Sequence, residues 1–185
     1  INADVIEDIV KKTGIYYLLA VCHALKQNEE EVKKYIEKLM KYPNKENEKN
    51  TVLTLLIVTF TKVKNYDKAC RYYEILLYNK KDDFNKLMEY GKCLLEAGRI
   101  NESLKVHLDV YKKNPTNLKN INSIINIYYN NLRLYKESCE FITKFLEVTS
   151  EKKDSNEVQE KLLLKAICLS KTGDDKSGES ILMKE

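Results

Sequence analysis

The stretch EYGKCLLEAGRINESLKVHLDVYKKNP, from Glu89 to Pro115, decides the fold of this chain. Its apolar residues recur at the spacing of an amphipathic helix, yet it contains two of the five glycines in the chain, Gly91 and Gly98. A glycine inside a helix costs about 1 kcal/mol relative to alanine, so each glycine needs its own explanation. We expect Gly91 to lie inside a helix at a close crossing, and Gly98 to end that helix and provide a turn.

The second half of this stretch, RINESLKVHLDVY, has two counterparts in the chain, NYDKACRYYEILL and LYKESCEFITKFL. Their apolar residues Tyr66, Ile100 and Tyr135 lie 34 and 35 residues apart, and each is followed by a small residue and an amphipathic helix pattern. Another apolar helical run precedes each copy. The unit is therefore a helix, a short turn and a second helix, repeated at about 34 residues.

This unit resembles the tetratricopeptide repeat, whose pattern is a bulky residue, x2, Leu-Gly, x2, Tyr, then Ala, x3, Phe, then Pro. The central copy matches it through Leu87, Tyr90, Gly91, Leu94, Ser103, His107 and Pro115. The neighbouring copies match through Leu53, Leu56, Ile57, Phe60, Ala69 and Tyr73, and through Asn122, Ile125, Asn126, Tyr129, Ser138 and Ile142. Weaker copies at the two ends match through Tyr16, Leu19, Ala20, His23, Val32 and Ile36, and through Leu162, Ala166, Leu169, Gly173 and Leu182.

The resemblance implies an all-α fold, an α-solenoid of stacked antiparallel helix pairs that forms a right-handed superhelix of the tetratricopeptide type. We expect one domain over residues 1–185, with repeats at 13–49, 50–83, 84–118, 119–158 and 159–185. Residues 1–12 are expected to be the end of a preceding helix, which belongs to an earlier unit and is here without its partner. We also expect the chain to be a segment of a longer protein, because it begins INADVIED without an initiator methionine.

The five cysteines support this register. Counted from the repeat starts, three of them are the tenth residue of their repeat (Cys22, Cys93 and Cys168) and two are the twenty-first (Cys70 and Cys139). Equivalent positions in stacked repeats suit small buried hydrophobic residues, whereas a metal or redox site would gather several cysteines in one place. We therefore predict free cysteines, no metal site and a reducing intracellular compartment, cytoplasmic or nuclear.

The sequence shows no catalytic motif. It contains no Cys-x-x-Cys, no phosphate-binding glycine loop and no His-Glu-x-x-His. His107 stands at the aromatic packing position of its repeat, so we expect it to be a core residue. The sequence predicts a protein that is not an enzyme and has no cofactor.

Charge and hydropathy disfavour two classes of partner. The 32 basic and 28 acidic residues are interspersed along the chain, which disfavours a basic groove for nucleic acid. No apolar run approaches 18 residues, so neither a membrane span nor a signal peptide is predicted.

In the tetratricopeptide family the first helices of successive repeats line the concave surface. The resemblance therefore implies a partner-binding face formed by Tyr17, Val21, Thr54, Val58, Lys62, Met88, Lys92, Leu95, Ser123, Ile127, Asn130, Leu163, Ile167 and Lys171. This face is mostly apolar or small, which suits an extended or helical segment of another protein. Some family members bind chaperone C-terminal tails through a carboxylate clamp, but only Lys92 suits a carboxylate here, so that partner is disfavoured.

The leading hypothesis is a non-catalytic protein–protein interaction scaffold, a subunit or adaptor of a larger complex. The alternative from another class is an RNA-binding helical repeat of the pentatricopeptide type, which reads one base per repeat. A regulatory subunit that clasps a separate enzyme is a third possibility, and it would use the same groove as a scaffold.

Overall fold

The computed structural model describes residues 3–78, 83–150 and 155–183. These residues form helices and no β-strand. The helices are α1 (Ala3–Leu25), α2 (Glu29–Leu39), α3 (Glu46–Lys62), α4 (Tyr66–Leu77), α5 (Phe84–Glu96), α6 (Ile100–Lys113), α7 (Leu118–Asn126), α8 (Tyr135–Val148), α9 (Asn156–Lys171) and α10 (Asp175–Leu182), and a π-helical segment, Ile127–Leu132, continues α7. The predicted all-α fold of paired helices is confirmed. Residues 1–86 and 87–185 form two compact units.

In residues 1–86, α1 packs against α2 and α3, and α3 packs against α4. Small and large apolar side chains are buried together in this core. The fully buried residues of this core include Ala20, Ala24, Val32, Leu39, Val52, Leu56, Phe60, Ala69 and Cys70.

In residues 87–185, each helix from α6 to α10 packs against the next one along the chain. The central core lies between α7 and α8 and reaches α9, and it consists of Ile121, Ile124, Ile125, Phe141, Ile142, Phe145 and Cys168. β-Branched residues lower helix propensity slightly, so the three isoleucines of α7 are explained by their complete burial.

Asparagine, serine and aspartate side chains begin many of the helices. Asn28, Asn65 and Asn117 each accept a hydrogen bond from the backbone N–H three residues later, as do Ser155 and Asp174. Such a cap satisfies a donor that the first turn of the helix would otherwise leave unpaired, and its loss costs about 1 kcal/mol. Part of the asparagine content of the chain is therefore structural.

The turn between the two helices of a pair recurs with the same backbone conformation in all five repeats. One residue in each turn has a positive φ: Gln27, Lys64, Gly98, Arg133 and Gly173. This left-handed conformation ends the first helix and reverses the chain. The expectation that Gly98 provides a turn is confirmed by its φ angle of 76°, and Gly173 has the same left-handed conformation with a φ angle of 86°.

A hydrogen bond that closes each turn shows that one repeat is longer than the others. In four turns the backbone N–H after the left-handed residue donates to a carbonyl five residues earlier, as in Arg99 N to Leu94 O at 2.9 Å. In the fourth repeat the equivalent bond, Leu134 N to Tyr128 O at 2.9 Å, spans six residues. The π-helical segment Ile127–Leu132 accommodates the additional residue, because a π turn holds one residue more than an α turn.

The additional residue corrects the predicted register of this repeat. The carbonyl oxygens of Phe60, Leu94 and Tyr128 accept equivalent bonds, so the repeat begins at Leu118 and not at Lys119. The buried residues Ile121, Ile124 and Ile125 then occupy the positions that had been assigned to Asn122, Ile125 and Asn126. The isoleucines fit the apolar pattern of the repeat better than the asparagines do, so with the corrected register no asparagine stands at these packing positions.

The N-terminal helix also differs from the expectation. Residues 3–12 do not form a separate helix, because α1 runs without interruption from Ala3 to Leu25. Gly14, a weak helix former, lies near the expected boundary, and a β-carbon built there would have no atom within 4 Å. A single glycine costs a helix about 1 kcal/mol, which is too little to break it here.

The predicted close crossing at Gly91 is confirmed. A β-carbon at Gly91 would lie 2.6 Å from Nε2 of His107 on the paired helix α6. From the same helix, the Ser103 hydroxyl donates to the Gly91 carbonyl oxygen at 2.7 Å. Gly178 has the equivalent role in the last pair, where a β-carbon would lie 3.0 Å from the Ala166 carbonyl oxygen.

The cysteines are free, and four of them follow the packing expectation. Cys70, Cys93 and Cys168 are buried and Cys139 is half-buried. Burial raises the pKa of the Cys139 and Cys168 thiols, which keeps them protonated and unreactive. Cys22 is exposed, so its expected burial is wrong. It lies on the side of α1 opposite the buried residues Thr13, Ala20 and Ala24.

Candidate partner-binding surface

A cavity of about 630 Å³ lies on the first-helix side of residues 1–86. Four residues of the predicted partner-binding face line it, Tyr17 and Val21 from α1 and Thr54 and Val58 from α3. The remaining lining residues are Asn47, Asn50, Thr51, Leu55, Leu76, Leu77, Asp83 and Lys86. The structure thus brings four predicted residues together, whereas Lys62 is exposed near the end of α3 and is not among the lining residues.

The polar groups of this cavity differ in how well they are satisfied. The Thr54 hydroxyl donates to the Asn50 carbonyl oxygen at 2.8 Å, and the Thr51 hydroxyl donates to the Asn47 carbonyl oxygen at 2.9 Å. Both hydroxyl oxygens can still accept a hydrogen bond from a ligand. The Asn50 side-chain nitrogen is buried and has no hydrogen-bond partner, an arrangement that costs free energy.

In residues 87–185 the predicted face is only partly exposed. Leu163 and Ile167 of α9 are 52% and 37% exposed, and Lys92 and Lys171 are also exposed. Met88, Leu95 and Ser123 are half-buried, and Asn130 is exposed within the π-helical segment. One member of the face was wrong: Ile127 is fully buried.

The register correction explains the burial of Ile127. With the repeat beginning at Leu118, Ile127 is the tenth residue, equivalent to the buried Cys93 and Cys168. The residues equivalent to Met88 and Lys92 become Asn122 and Asn126. Sequence reasoning placed these two asparagines at packing positions. The signal that could have corrected this is the 35-residue spacing between Ile100 and Tyr135.

Asn122 carries an unsatisfied group on this face. Its side-chain nitrogen donates to a Glu157 carboxylate oxygen at 3.0 Å, while its own side-chain oxygen is buried without a hydrogen-bond partner. Asn126, one turn later, is exposed. An amide offers both a donor and an acceptor, so this pair suits the backbone groups of an extended peptide.

His107 has the core role that its position predicted. It is 2% exposed, and its Nδ1 lies 2.8 Å from the side-chain oxygen of Asn120, whose amide nitrogen donates to the His107 carbonyl oxygen at 2.9 Å. Since the amide oxygen only accepts, Nδ1 carries the proton. Burial lowers the pKa of His107 more than the Asn120 bond raises it, so the ring is held neutral. The pair joins α6 to α7.

A second polar cluster joins α2 to α4. The Glu29 carboxylate accepts hydrogen bonds from the Lys68 ammonium and from the Tyr72 hydroxyl, the latter at 2.6 Å. Burial raises the pKa of Glu29, but these hydrogen bonds outweigh it and the net shift is downward. Burial and the Glu29 bond raise the pKa of Tyr72. Both shifts fix the carboxylate as the acceptor and the phenol as the donor.

The described residues contain no group of three or more His, Cys, Asp or Glu side chains arranged to hold a metal ion. None of the helices in the described part of the chain is both long and apolar enough to cross a membrane.

Solved structures with a similar fold include those of MamA. The chain superposes on a crystal structure of MamA protein with a TM-score of 0.62 at 10% sequence identity, covering 94% of this chain and 90% of that one. MamA AMB-1 gives a TM-score of 0.61 at 14% identity, covering 93% and 88%. MamA from Desulfovibrio magneticus RS-1 gives 0.58 at 14% identity, covering 94% and 92%.

No protein-family model and no curated protein sequence matches the chain. At these identities the structural likeness shows the fold alone. That fold is a helical repeat of the tetratricopeptide type, built from antiparallel helix pairs.

Proposed function

We propose that the chain is a non-catalytic protein–protein interaction module, a subunit or adaptor of a larger complex. The observation that carries this proposal is the cavity of about 630 Å³ in residues 1–86, on the first-helix side where the family resemblance implies partner binding. Apolar walls with a few convergent polar groups are typical of binding sites. A segment of another protein can bury apolar side chains against Tyr17, Val21 and Val58 there.

The hydrogen-bonding groups beside the apolar surface favour a segment that is recognised partly through its backbone. Thr51 and Thr54 offer acceptors in residues 1–86. Asn122 and Asn126 offer amides in residues 87–185. An extended peptide has regularly spaced N–H and C=O groups that such side chains can pair. We therefore infer that the partner is an extended peptide segment recognised partly through its backbone.

The proposal places the chain in a reducing compartment, the cytoplasm or the nucleus. The five cysteines are free, and three of them are buried in helix contacts where no disulfide is needed for stability.

Affinity capture with the whole chain tests the proposal. The test variant is Val58→Arg, which places a charge on a cavity residue that is 44% exposed. The control is Val63→Arg, at a residue that is 52% exposed and does not line the cavity. A binding partner should be retained by the control and bind Val58→Arg at least about tenfold more weakly, a loss of about 1.4 kcal/mol.

Equal retention by both variants would contradict binding in the cavity. Two further measurements distinguish the alternative functions, RNA binding and regulation of an enzyme. Binding of single-stranded RNA that weakens steeply with salt would favour a base-reading repeat. A recovered enzyme whose turnover changes on adding the chain would identify a regulatory subunit.

A further inference from the structure

The cavity in residues 1–86 holds hydrogen-bonding groups at two depths. Asn47 and Thr51 are exposed and form part of its rim, whereas Tyr17, Asn50 and Thr54 are half-buried. When an extended segment binds, its backbone pairs with groups at the surface and its side chains enter the pockets below. The half-buried groups are therefore placed to meet a side chain of the bound segment.

The three half-buried groups offer two donors and one acceptor. The Tyr17 hydroxyl forms no hydrogen bond to any residue that the structure describes, so it is free to donate. The side-chain nitrogen of Asn50 has no hydrogen-bond partner either. The Thr54 hydroxyl already donates to the Asn50 carbonyl oxygen at 2.8 Å, so its oxygen is left to accept. A ligand that pairs with all three groups needs both an acceptor and a donor.

The charges of the cavity do not favour a charged side chain. Among the described residues its charged members are Asp83 and Lys86, which are opposite in sign and three residues apart. The Asp83 carboxylate already accepts a hydrogen bond from the Lys86 backbone N–H at 3.0 Å. Burying a charge is costly unless an opposite charge pairs with it. A charged side chain placed among the half-buried groups would lose its hydration without gaining such a pair.

A carboxamide side chain meets both requirements. Its carbonyl oxygen can accept from Tyr17 and Asn50, its N–H groups can donate to Thr54, and it carries no charge. Its methylene groups can contact the apolar side chains of Val21 and Val58. We propose that the cavity selects a partner segment that inserts a glutamine or asparagine side chain. This inference rests on the proposed function and specifies the side chain that the partner presents.

Affinity selection of a random octapeptide library, displayed on phage, against the whole chain tests the proposal. We expect the enriched peptides to share a glutamine or asparagine beside apolar residues. Synthetic peptides then carry glutamine, methionine or glutamate at this position, and fluorescence polarisation measures their dissociation constants. Methionine keeps the length of glutamine but cannot replace its hydrogen bonds, so it should weaken binding about two- to tenfold. Glutamate adds a charge and should weaken binding at least about tenfold.

Two variants of nearly unchanged shape show whether the cavity makes this selection. Tyr17→Phe removes a donor and Thr54→Val removes the acceptor, and each should lower the ratio of the methionine to the glutamine dissociation constant at least about twofold. The controls are Tyr16→Phe, on the same helix as Tyr17, and Thr59→Val, whose hydroxyl donates to the Leu55 carbonyl oxygen at 2.7 Å. Both control residues are half-buried and do not line the cavity, so the ratio should stay unchanged. A general loss of stability weakens both peptides equally and leaves the ratio as it was.

The other outcomes separate this inference from the proposed function. Enriched peptides without a carboxamide, or equal binding of the glutamine and methionine peptides, would overturn the inference and leave the proposed function intact. Tighter binding of the glutamate peptide would do the same, and so would a ratio that Tyr17→Phe and Thr54→Val leave unchanged. Enrichment of no peptide at all would contradict the proposed function, and the inference with it.

Discussion

Replacing Gly91 by alanine tests the close crossing between α5 and α6. The added β-carbon would lie 2.6 Å from Nε2 and 2.9 Å from Cδ2 of His107, distances at which one of the groups must move. The His107 ring cannot move freely, because its Nδ1 is bonded to Asn120 at 2.8 Å in a buried site. Alanine therefore either strains the helix crossing or breaks the His107–Asn120 pair.

The magnitude follows from two opposing effects. Alanine gains about 1 kcal/mol over glycine in a helix interior. Overpacking of a well-packed core costs about 1–3 kcal/mol, and a broken buried hydrogen bond falls in the same range. We expect Gly91→Ala to lower the free energy of unfolding by up to about 2 kcal/mol, the difference between these effects.

Urea unfolding followed by circular dichroism measures this free energy, and Gly14→Ala is the matched control. No atom lies within 4 Å of a β-carbon at Gly14, so alanine there should raise stability by up to about 1 kcal/mol. In a His107→Ala background Gly91→Ala should become stabilising as well, because the clashing ring is gone. If Gly91→Ala is as stabilising as Gly14→Ala when His107 is present, the His107 ring does not exclude a side chain at position 91, which would refute the prediction.

Three further predictions concern pH and chain length. The pKa of Glu29 is lowered in the folded protein, so the free energy of unfolding should fall as the pH drops below 4.5, the ordinary pKa of this carboxyl group. Glu29→Gln should flatten this part of the profile of urea midpoint against pH. An unchanged profile would show that the Lys68 contact is not formed. The pKa of His107 is lowered from 6.5 in the folded protein, so as the pH falls the unfolded chain binds a proton before the folded chain does, and the free energy of unfolding should decline below pH 6.5. His107→Phe should remove that decline. Deleting Asn131 should convert the π-helical segment to a regular α-helical turn, and it should lower the melting temperature far less than deleting Leu55 does. Equal decreases in melting temperature would contradict the conclusion that the π-helical segment holds an additional residue.

The helix pairs and their turns could be predicted because they depend on local chemistry. Apolar residues at helical spacing define both helices, and Gly98 and Gly173 mark two turns at which φ is positive. The same turn at Gln27, Lys64 and Arg133 has no glycine to mark it. Only the repeat period locates those three turns, so the period predicts the positions of the turns better than glycine does.

The partner-binding face was less predictable because exposure depends on the phase of each helix. A shift of one residue rotates a helical position by about 100°, enough to move a side chain from the surface to the core. That shift buried Ile127 and placed Asn122 and Asn126 on the face instead. The prediction that Cys22 is buried fails for a different reason. Its position in the repeat is equivalent to those of the buried Cys93 and Cys168, but no other helix of residues 1–86 covers that side of α1.

The π-helical segment also bears on how such chains vary in length. Insertions are usually expected in loops, where backbone geometry is permissive. Here the inserted residue lies inside a helix, and the next helix still begins directly after a standard turn, with Ser138 and Ile142 buried at the positions of Ala69 and Tyr73. The segment confines the insertion to one repeat and prevents it from changing the faces of the repeats that follow. In an alignment of these repeats the gap therefore belongs within the first helix, near its C-terminal end, and not in the turn.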